Sequence, residues 1–251
     1  MPATTAPARL QEVAVCAPLA ERVEFLLWVP PSGSLTREHE VIPDANADLL
    51  LELSDGHCRA VLHGPLTRPR RVPTQAGHGY LAVHFHPGAL PRLVDATAAE
   101  LVNEAVELRT LGGVSLDALG ARLLAAGTLA PMCEVLEPLL RRLCAPRGDT
   151  FDRVLHYLRT HPGPPRPGVL AKALHLSPRT LQRAFKERVG FCPGTYSRIA
   201  RLQGALSALR AAPPPSLSEL AYQSGYADHA HMTREFRELT GRPPSAFRPP
   251  A

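Results

Sequence analysis

LQRAFKERVGFCPGTY (181–196) and MTREFRELTGRPPSAF (232–247) align at a constant offset of 51. Arg183 matches Arg234, Phe185 matches Phe236, Glu187 matches Glu238, Gly190 matches Gly241 and Pro193 matches Pro244. Leu181/Met232, Lys186/Arg237 and Tyr196/Phe247 match in kind. Upstream, Leu170-Ala171 returns as Leu220-Ala221 at offset 50, so the second turn holds one extra residue. A unit of about fifty residues is duplicated. At helical spacing each copy separates into an apolar stripe and a polar face. In the first, Leu181, Phe185 and Val189 share one side, with Arg179, Gln182, Arg183 and Lys186 opposite. In the second, Met232, Phe236 and Leu239 face in, while His229, Thr233, Arg234 and Arg237 face out. Arg reads guanine bidentately, Gln reads adenine, Thr meets the thymine methyl, and Lys or Arg neutralises phosphate. The outward sets are what a DNA major groove calls for.

The elements that carry these residues read as helix, tight turn, helix. In the first unit a short helix over Val169 to Leu174 meets a turn at His175-Leu176. Ser177-Pro178 then supplies a capping hydroxyl and a proline at the first helical position. In the second, Ser216-Leu217-Ser218-Glu219 is a capping box, Gly225 supplies the turn and Asp228 caps the next helix. A helix from about Thr195 to Ala211 would be ~25 Å long. With its flanking turns it would set the two reading helices in successive grooves, ~34 Å apart. The alternative is an ordinary solvated helix face rich in Arg. Two copies with matching caps argue against it, as does the local charge. Residues 1–150 carry 13 Arg and 17 Asp/Glu, whereas residues 151–251 carry 13 Arg, two Lys and six Asp/Glu, so a net −4 adjoins a net +9. A basic module on a mildly acidic remainder fits double-stranded DNA as partner.

The 251 residues are 45% hydrophobic and 20% charged, enough apolar content for packed cores and too little charge for a disordered chain. No apolar run reaches bilayer length, and residues 1–9 lack a signal-peptide core, so a cytoplasmic chain with no membrane partner is expected. Five cysteines at 16, 58, 133, 144 and 192 are odd in number and scattered, which suits reduced thiols. Pro146 and Gly148 break the chain between two apolar-periodic stretches. The expected domains are therefore 1–145 and 151–251, with 146–150 as linker. His161 to Gly168 and Ala212 to Pro215 read as loops. In the first domain Val23 to Val29, Leu49 to Leu53, Ala60 to Leu62 and Tyr80 to His86 read as strands of a small barrel or sandwich. Helices are expected over about 96–107, 115–126 and 129–144. The fold class is α+β, with an all-helical second domain.

The C-terminal stretch, 153–249, resembles the DNA-binding domain of AraC/XylS-type transcriptional regulators. The resemblance rests chiefly on Ala221-Tyr222-Gln223-Ser224-Gly225-Tyr226-Ala227-Asp228, then Met232, Arg234-Glu235-Phe236-Arg237, Gly241, Pro244 and Phe247-Arg248. Two positions depart from the family pattern: His175 stands where many members have Gly, strained if its φ is positive, and Met232 stands where Phe is usual. Residues 39–145 resemble, more loosely, the N-terminal domain of one branch, through Val41 to Leu49, Gly64-Pro65-Leu66-Thr67 and Val83-His84-Phe85-His86-Pro87-Gly88. That implies a cupin-like barrel that senses a small-molecule effector or forms a homodimer, in a bacterial activator that engages RNA polymerase.

The remaining candidates are weaker. His84 and His86 form an H-x-H on the strand face opposite Leu81, Val83 and Phe85, but no glutamate follows at cupin spacing. Two non-ligand histidines are expected, with no metal and no cofactor; His57, Cys58 and His63 are candidate further ligands that nothing fixes in space. No nucleophile–base pair or cofactor loop supports an enzyme built on Asp44, Tyr80, His84 and His86. No C-x-x-C is present, and Cys133 and Cys144 lie on an apolar stripe with Leu129, Met132, Leu136, Leu140 and Leu143. That stripe fits a dimer seam and packing onto the barrel equally well. The expected reading is a DNA-binding regulator. Arg179, Gln182, Arg183, His229, Thr233 and Arg234 meet bases, and Lys186 and Arg237 meet phosphates. A regulator that senses no ligand and answers to a protein partner is the alternative.

Overall fold

Alternation drives the N-terminal half. Leu49, Leu51 and Leu53 are fully buried, while Asp48, Leu50, Glu52 and Ser54 between them are half-buried on the other face. Each buried leucine contributes about 2 kcal/mol through the apolar surface it removes from water. The computed structural model describes residues 11–13, 15, 19–31, 37–54, 56–91, 93–145, 147–161, 163–210 and 215–248. Cys16, Pro146, Ala212 to Pro214 and residues 1–9, on which sequence expectations also fell, lie outside these.

The strands are β1 (Gln11–Val13), β2 (Val23–Val29), β3 (Arg37–Val41), β4 (Ala47–Ser54), β5 (His57–His63), β6 (Arg70–Thr74), β7 (Gly79–Phe85), β8 (Ala105–Leu108), β9 (Thr110–Leu111) and β10 (Val114–Ser115). Six of them form one sheet in the order β1-β2-β7-β4-β5-β8, with the pairs antiparallel. β3 pairs with β6 as a separate ribbon, and no ladder joins the ribbon to the larger sheet among the described residues. The four strands read from sequence are all present, each within three residues at its start and one at its end.

The segment 96–107 is not a helix. Ala98, Leu101 and Val102 carry helical spacing, but Thr97 to Asn103 form turns and Asn103 takes a left-handed φ of 60°. Val106 and Leu108 then run along the free edge of β5, with Leu62 opposite Val106 and Ala60 opposite Leu108. The ladder satisfies backbone groups that a helix would otherwise have paired, and tertiary pairing overrides local pattern.

Helices α1 (Leu116–Ala126) and α2 (Leu129–Leu143) follow. α1 lies so close to β5 that a side chain on Gly120 would come within 2.4 Å of Cys58 Cβ. Leu129, Met132, Leu136, Leu140 and Cys144 are buried in the chain's own core, and Cys133 and Leu143 pack against it. The stripe therefore packs onto α1, β1 and β2 and is not a dimer seam.

The second half is α3 (Thr150–Thr160), α4 (Pro167–Ala173), α5 (Pro178–Arg188), α6 (Pro193–Leu209), α7 (Leu217–Gln223), α8 (His229–Thr240) and a closing turn of 3-10 helix at Pro244–Phe247. The long helix α6 starts two residues earlier than expected because Pro193 takes its first position, and it ends at Leu209. The repeat equivalents Phe185 and Phe236 are both fully buried. Replacing either by Ala would cost about 3–5 kcal/mol.

Candidate nucleic-acid interface

The second helix of each repeat, α5 and α8, begins with a side-chain cap. Ser177 Oγ accepts from the Thr180 N–H at 3.1 Å, and Pro178 follows it. Asp228 Oδ1 accepts from the His231 N–H at 2.7 Å. Ahead of α8, Ser216 and Glu219 form the reciprocal capping box at the start of α7. The two turns differ. Gly225 has φ 75°, natural for glycine, and the corresponding residue of the first copy is His175 at φ 53°. The histidine is thus in the strained left-handed region that the sequence comparison singled out.

The exposed face of α5 carries Arg179, Gln182, Arg183 and Lys186, and that of α8 carries His229, Arg234 and Arg237. Thr233 is half-buried, with Oγ1 3.5 Å from His229 Nε2. Leu181, Phe185 and Val189 are buried on the opposite side of the first unit, and Met232, Phe236 and Leu239 on that of the second. On α5, Arg183 and Lys186 already have partners. Arg183 Nε lies 3.8 Å from Glu187 Oε1, one turn along. Lys186 Nζ donates to the Gly190 carbonyl at 3.1 Å and so closes the C-terminal end of α5. At 1.5 Å per residue, the 17 residues of α6 give a spacer of about 25 Å between the units.

Sequence reasoning missed what holds α8 to that spacer. Glu235 is 4% exposed and stands where the first copy has Ala184. Its carboxylate accepts from Arg198 Nε at 2.9 Å and from Arg201 Nη2 at 3.1 Å. Arg201 also lies 5.3 Å over the Tyr226 ring. The available signal was a charge breaking the repeat on the apolar side of an amphipathic helix.

A second unforeseen set joins the two halves of the chain. Arg188, the last residue of α5, is 5% exposed. Its Nε donates to the Gly88 carbonyl at 3.0 Å, and its Nη1 pairs with Asp149, the cap of α3. Asp152 takes Arg22 Nη2 at 2.8 Å. A side chain on Gly88 would come within 2.2 Å of the Phe151 ring, and one on Gly190 within 2.4 Å of the Ala98 carbonyl. The first helix-turn-helix unit is therefore built into the N-terminal half. Other contacts are Gln203 Nε2 donating to the Pro43 carbonyl at 2.6 Å and an ion pair of Arg242 with Glu40.

His84 is a structural residue of the sheet. Its Nδ1 lies 2.5 Å from Asp48 Oδ1, its ring stacks on Phe25, and the Asn46 amide lies 2.7 Å from Nε2. Burial opposes its charge, but the Asp48 hydrogen bond and the charges of Asp48, Asp44 and Glu24 outweigh burial and raise its pKa to about 9. Burial lifts Asp44 to about 6 against the pull of His84. His86 Nδ1 is 3.8 Å from Glu24, and burial lowers its pKa. Tyr80 donates to Glu52 at 3.0 Å. His57, Cys58 and His78 line a shallow recess with Glu52, while His63 faces Arg70 at 3.3 Å. Among the described residues no group of three or more His, Cys, Asp or Glu side chains is arranged to hold a metal ion. Burial pushes the Cys58 thiol up to about 11 and the Cys144 thiol to about 12, which keeps both protonated. No helix among the described residues is long and apolar enough to cross a membrane.

Two capped helices with polar outer faces, repeated across a long spacer helix, define a tandem helix-turn-helix arrangement. Residues 170–249 match the family described as Helix-turn-helix domain, and residues 11–107 match the one described as Domain of unknown function (DUF6597). The C-terminal third of the chain therefore carries a helix-turn-helix domain. Among solved structures the chain is similar to an apo variant of ToxT from Vibrio cholerae strain SCE256, at 12% identity over 88% of this chain and 96% of that one, with a TM-score of 0.47. It is similar also to ToxT from Vibrio cholerae in a P21 crystal form, at 8% identity over 95% and 97% of the two chains and a TM-score of 0.46. A third is unsaturated fatty acid bound ToxT, at 10% identity over 88% and 92% and a TM-score of 0.42. No curated protein matches the chain.

Proposed function

We propose that this regulator reads double-stranded DNA in two successive major grooves, with α5 and α8 as the reading helices. Arg179, Gln182 and Arg183 meet base edges in one groove, and His229, Thr233 and Arg234 in the other. Lys186 and Arg237, one turn further on, meet phosphates. The observation that carries this reading is the pair of outward faces: equivalent positions of two capped helices are open to solvent while their apolar sides are buried. Residues 151–251 form the DNA-binding domain and residues 1–145 a cupin-like effector or dimerisation domain. The protein works in the cytoplasm as a small-molecule-responsive activator through RNA polymerase, as AraC-type regulators of this organisation do.

The test is a titration of variants against singly substituted operators over a salt series. Arg183→Ala should cost about 1–3 kcal/mol on the specific site and relax preference at one base pair. Arg234→Ala should relax a second position ~10 bp away. Lys186→Ala should weaken specific and non-specific DNA alike and reduce the salt slope by about one charge. Uniform losses over all base substitutions for both Arg variants would mean that they hold only backbone.

A further inference from the structure

The two copies of the repeat end differently. Arg188, Gly190 and Phe191 of the first stand at offset 51 from Leu239, Gly241 and Arg242 of the second. A side chain on Gly190 would come within 2.4 Å of the Ala98 carbonyl and 2.5 Å of Val102, whereas one on Gly241 would meet nothing within 4 Å among the described residues. Phe191 is buried, while its counterpart Arg242 makes a solvent-accessible ion pair with Glu40. Besides its bonds to the Gly88 carbonyl and Asp149, the Arg188 guanidinium lies 5.4 Å over the Phe151 ring. That ring meets the Phe185 ring edge-on at 5.3 Å, and Phe185 is the buried anchor of α5. Gly88 sits at φ 75° in the turn that closes the His84-Phe85-His86-Pro87-Gly88 stretch, and its missing side chain lets Phe151 approach. Contacts thus run from the end of β7 through Gly88, Phe151 and Phe185 into α5. The second unit is fixed differently, with Glu235 of α8 holding to α6.

We propose that Arg188 is a positioning residue: through it the N-terminal half sets the angle of α5 on DNA, so that a change in that half alters readout at the half-site of α5 and spares the half-site of α8. This rests on the reading of α5 and α8 as the helices that meet bases. With 11 residues α5 is about 16 Å long, so a tilt of a few degrees at the Arg188 end moves the base-contacting end by about 1 Å. Base contacts need placement within about 0.5 Å, which such a tilt exceeds. Lys186, reaching phosphate as a point charge, tolerates it. Arg188 is itself buried and stays out of reach of phosphates, so the salt slope does not depend on it.

The test uses the full-length protein with Arg188→Met, Arg188→Lys and Asp149→Asn, each titrated over a salt series against operators singly substituted in one half-site or the other. With Arg188→Met, discrimination at the half-site of α5 should fall about fivefold and that at the half-site of α8 by less than about twofold, with the salt slope unchanged. Arg188→Lys keeps a charge for Asp149 but loses the fork that also reaches the Gly88 carbonyl, and should restore part of the discrimination. Asp149→Asn keeps a capping residue for α3 and removes only the charge. It should lower discrimination at the half-site of α5 by about twofold, and it decides the matter if Arg188→Met does not fold. Equal losses at both half-sites, or undiminished discrimination at that of α5, overturn the positioning. Hydrogen exchange without DNA is the second measurement: the ratio of α5 to α8 amide exchange rates should rise about fivefold in Arg188→Met and about twofold in Asp149→Asn. An unchanged ratio overturns the tie. If Arg183→Ala leaves base preference intact, the base-reading has failed, and exchange alone decides whether Arg188 fixes α5.

Discussion

Removing the Glu235 carboxylate tests whether α8 is held to α6 by charge. Glu235→Ala deletes the acceptor for Arg198 Nε at 2.9 Å and for Arg201 Nη2 at 3.1 Å. The side chain is 5% exposed and Arg201 22%, so the arginine would keep a largely buried charge without a partner. Breaking a fully buried pair costs about 3–5 kcal/mol. Arg198 is 38% exposed and also pairs with Glu238, so its share is reduced by solvent. A loss of about 3 kcal/mol follows, which for a chain of this size lowers the melting temperature by roughly 6–12 °C. Glu235→Gln keeps the shape and one acceptor and should lose about half as much. The assay is thermal unfolding followed by circular dichroism, with Glu235→Ala, Arg201→Met and the double variant forming a cycle. The two single losses should exceed the double loss. If Glu235→Ala melts within ~2 °C of the wild type, the carboxylate is not what holds α8 to α6.

Four further outcomes follow from the geometry. His175→Gly relieves left-handed strain at φ 53° and, after the entropy cost of glycine, should stabilise by about 0.5–1 kcal/mol in denaturant titration; destabilisation would count against it. Leu136 is fully buried under the sheet, so Leu136→Glu should cost more than about 4 kcal/mol and yield unfolded or aggregated chain; a folded monomer in sedimentation would contradict that. Asp149 caps α3, so a fragment beginning at residue 148 should be more stable than one beginning at 151 by about 1 kcal/mol, and equal melting would refute the role of the cap. The Asp44 carboxyl, raised from 3.8 to about 6, favours the fold once protonated and adds stability as pH falls through 6; the His84 contribution, with its pKa raised from 6.5 to about 9, is fully present below 6.5 and lost as pH rises through 9. Melting temperature should therefore decline from pH 6 to pH 9, with His84→Asn flattening the alkaline limb, and a rise over that window would refute the assignment.

Reading the chain alone located the duplicated unit, its caps and its strained turn, because all are local. Ser177, Ser216 and Asp228 act on N–H groups within three residues, and the apolar stripe of a short helix is fixed by spacing alone. The outward residues were legible for the same reason, since a helix determines which side chains lie opposite its stripe. The strands were legible from alternation. What needed the tertiary structure was every decision between partners far apart in sequence. The 96–107 segment became turn and strand because the edge of β5 was there to pair with. The α2 stripe had spacing for a dimer seam or for a core, and the position of α1 and the sheet made it core. Glu235 and Arg188 depend on contacts spanning 34 to 100 residues, which no periodicity records. Local hydrogen bonds and helix geometry set the outward faces of α5 and α8; the meeting of distant surfaces set how those faces are held and joined to the N-terminal half.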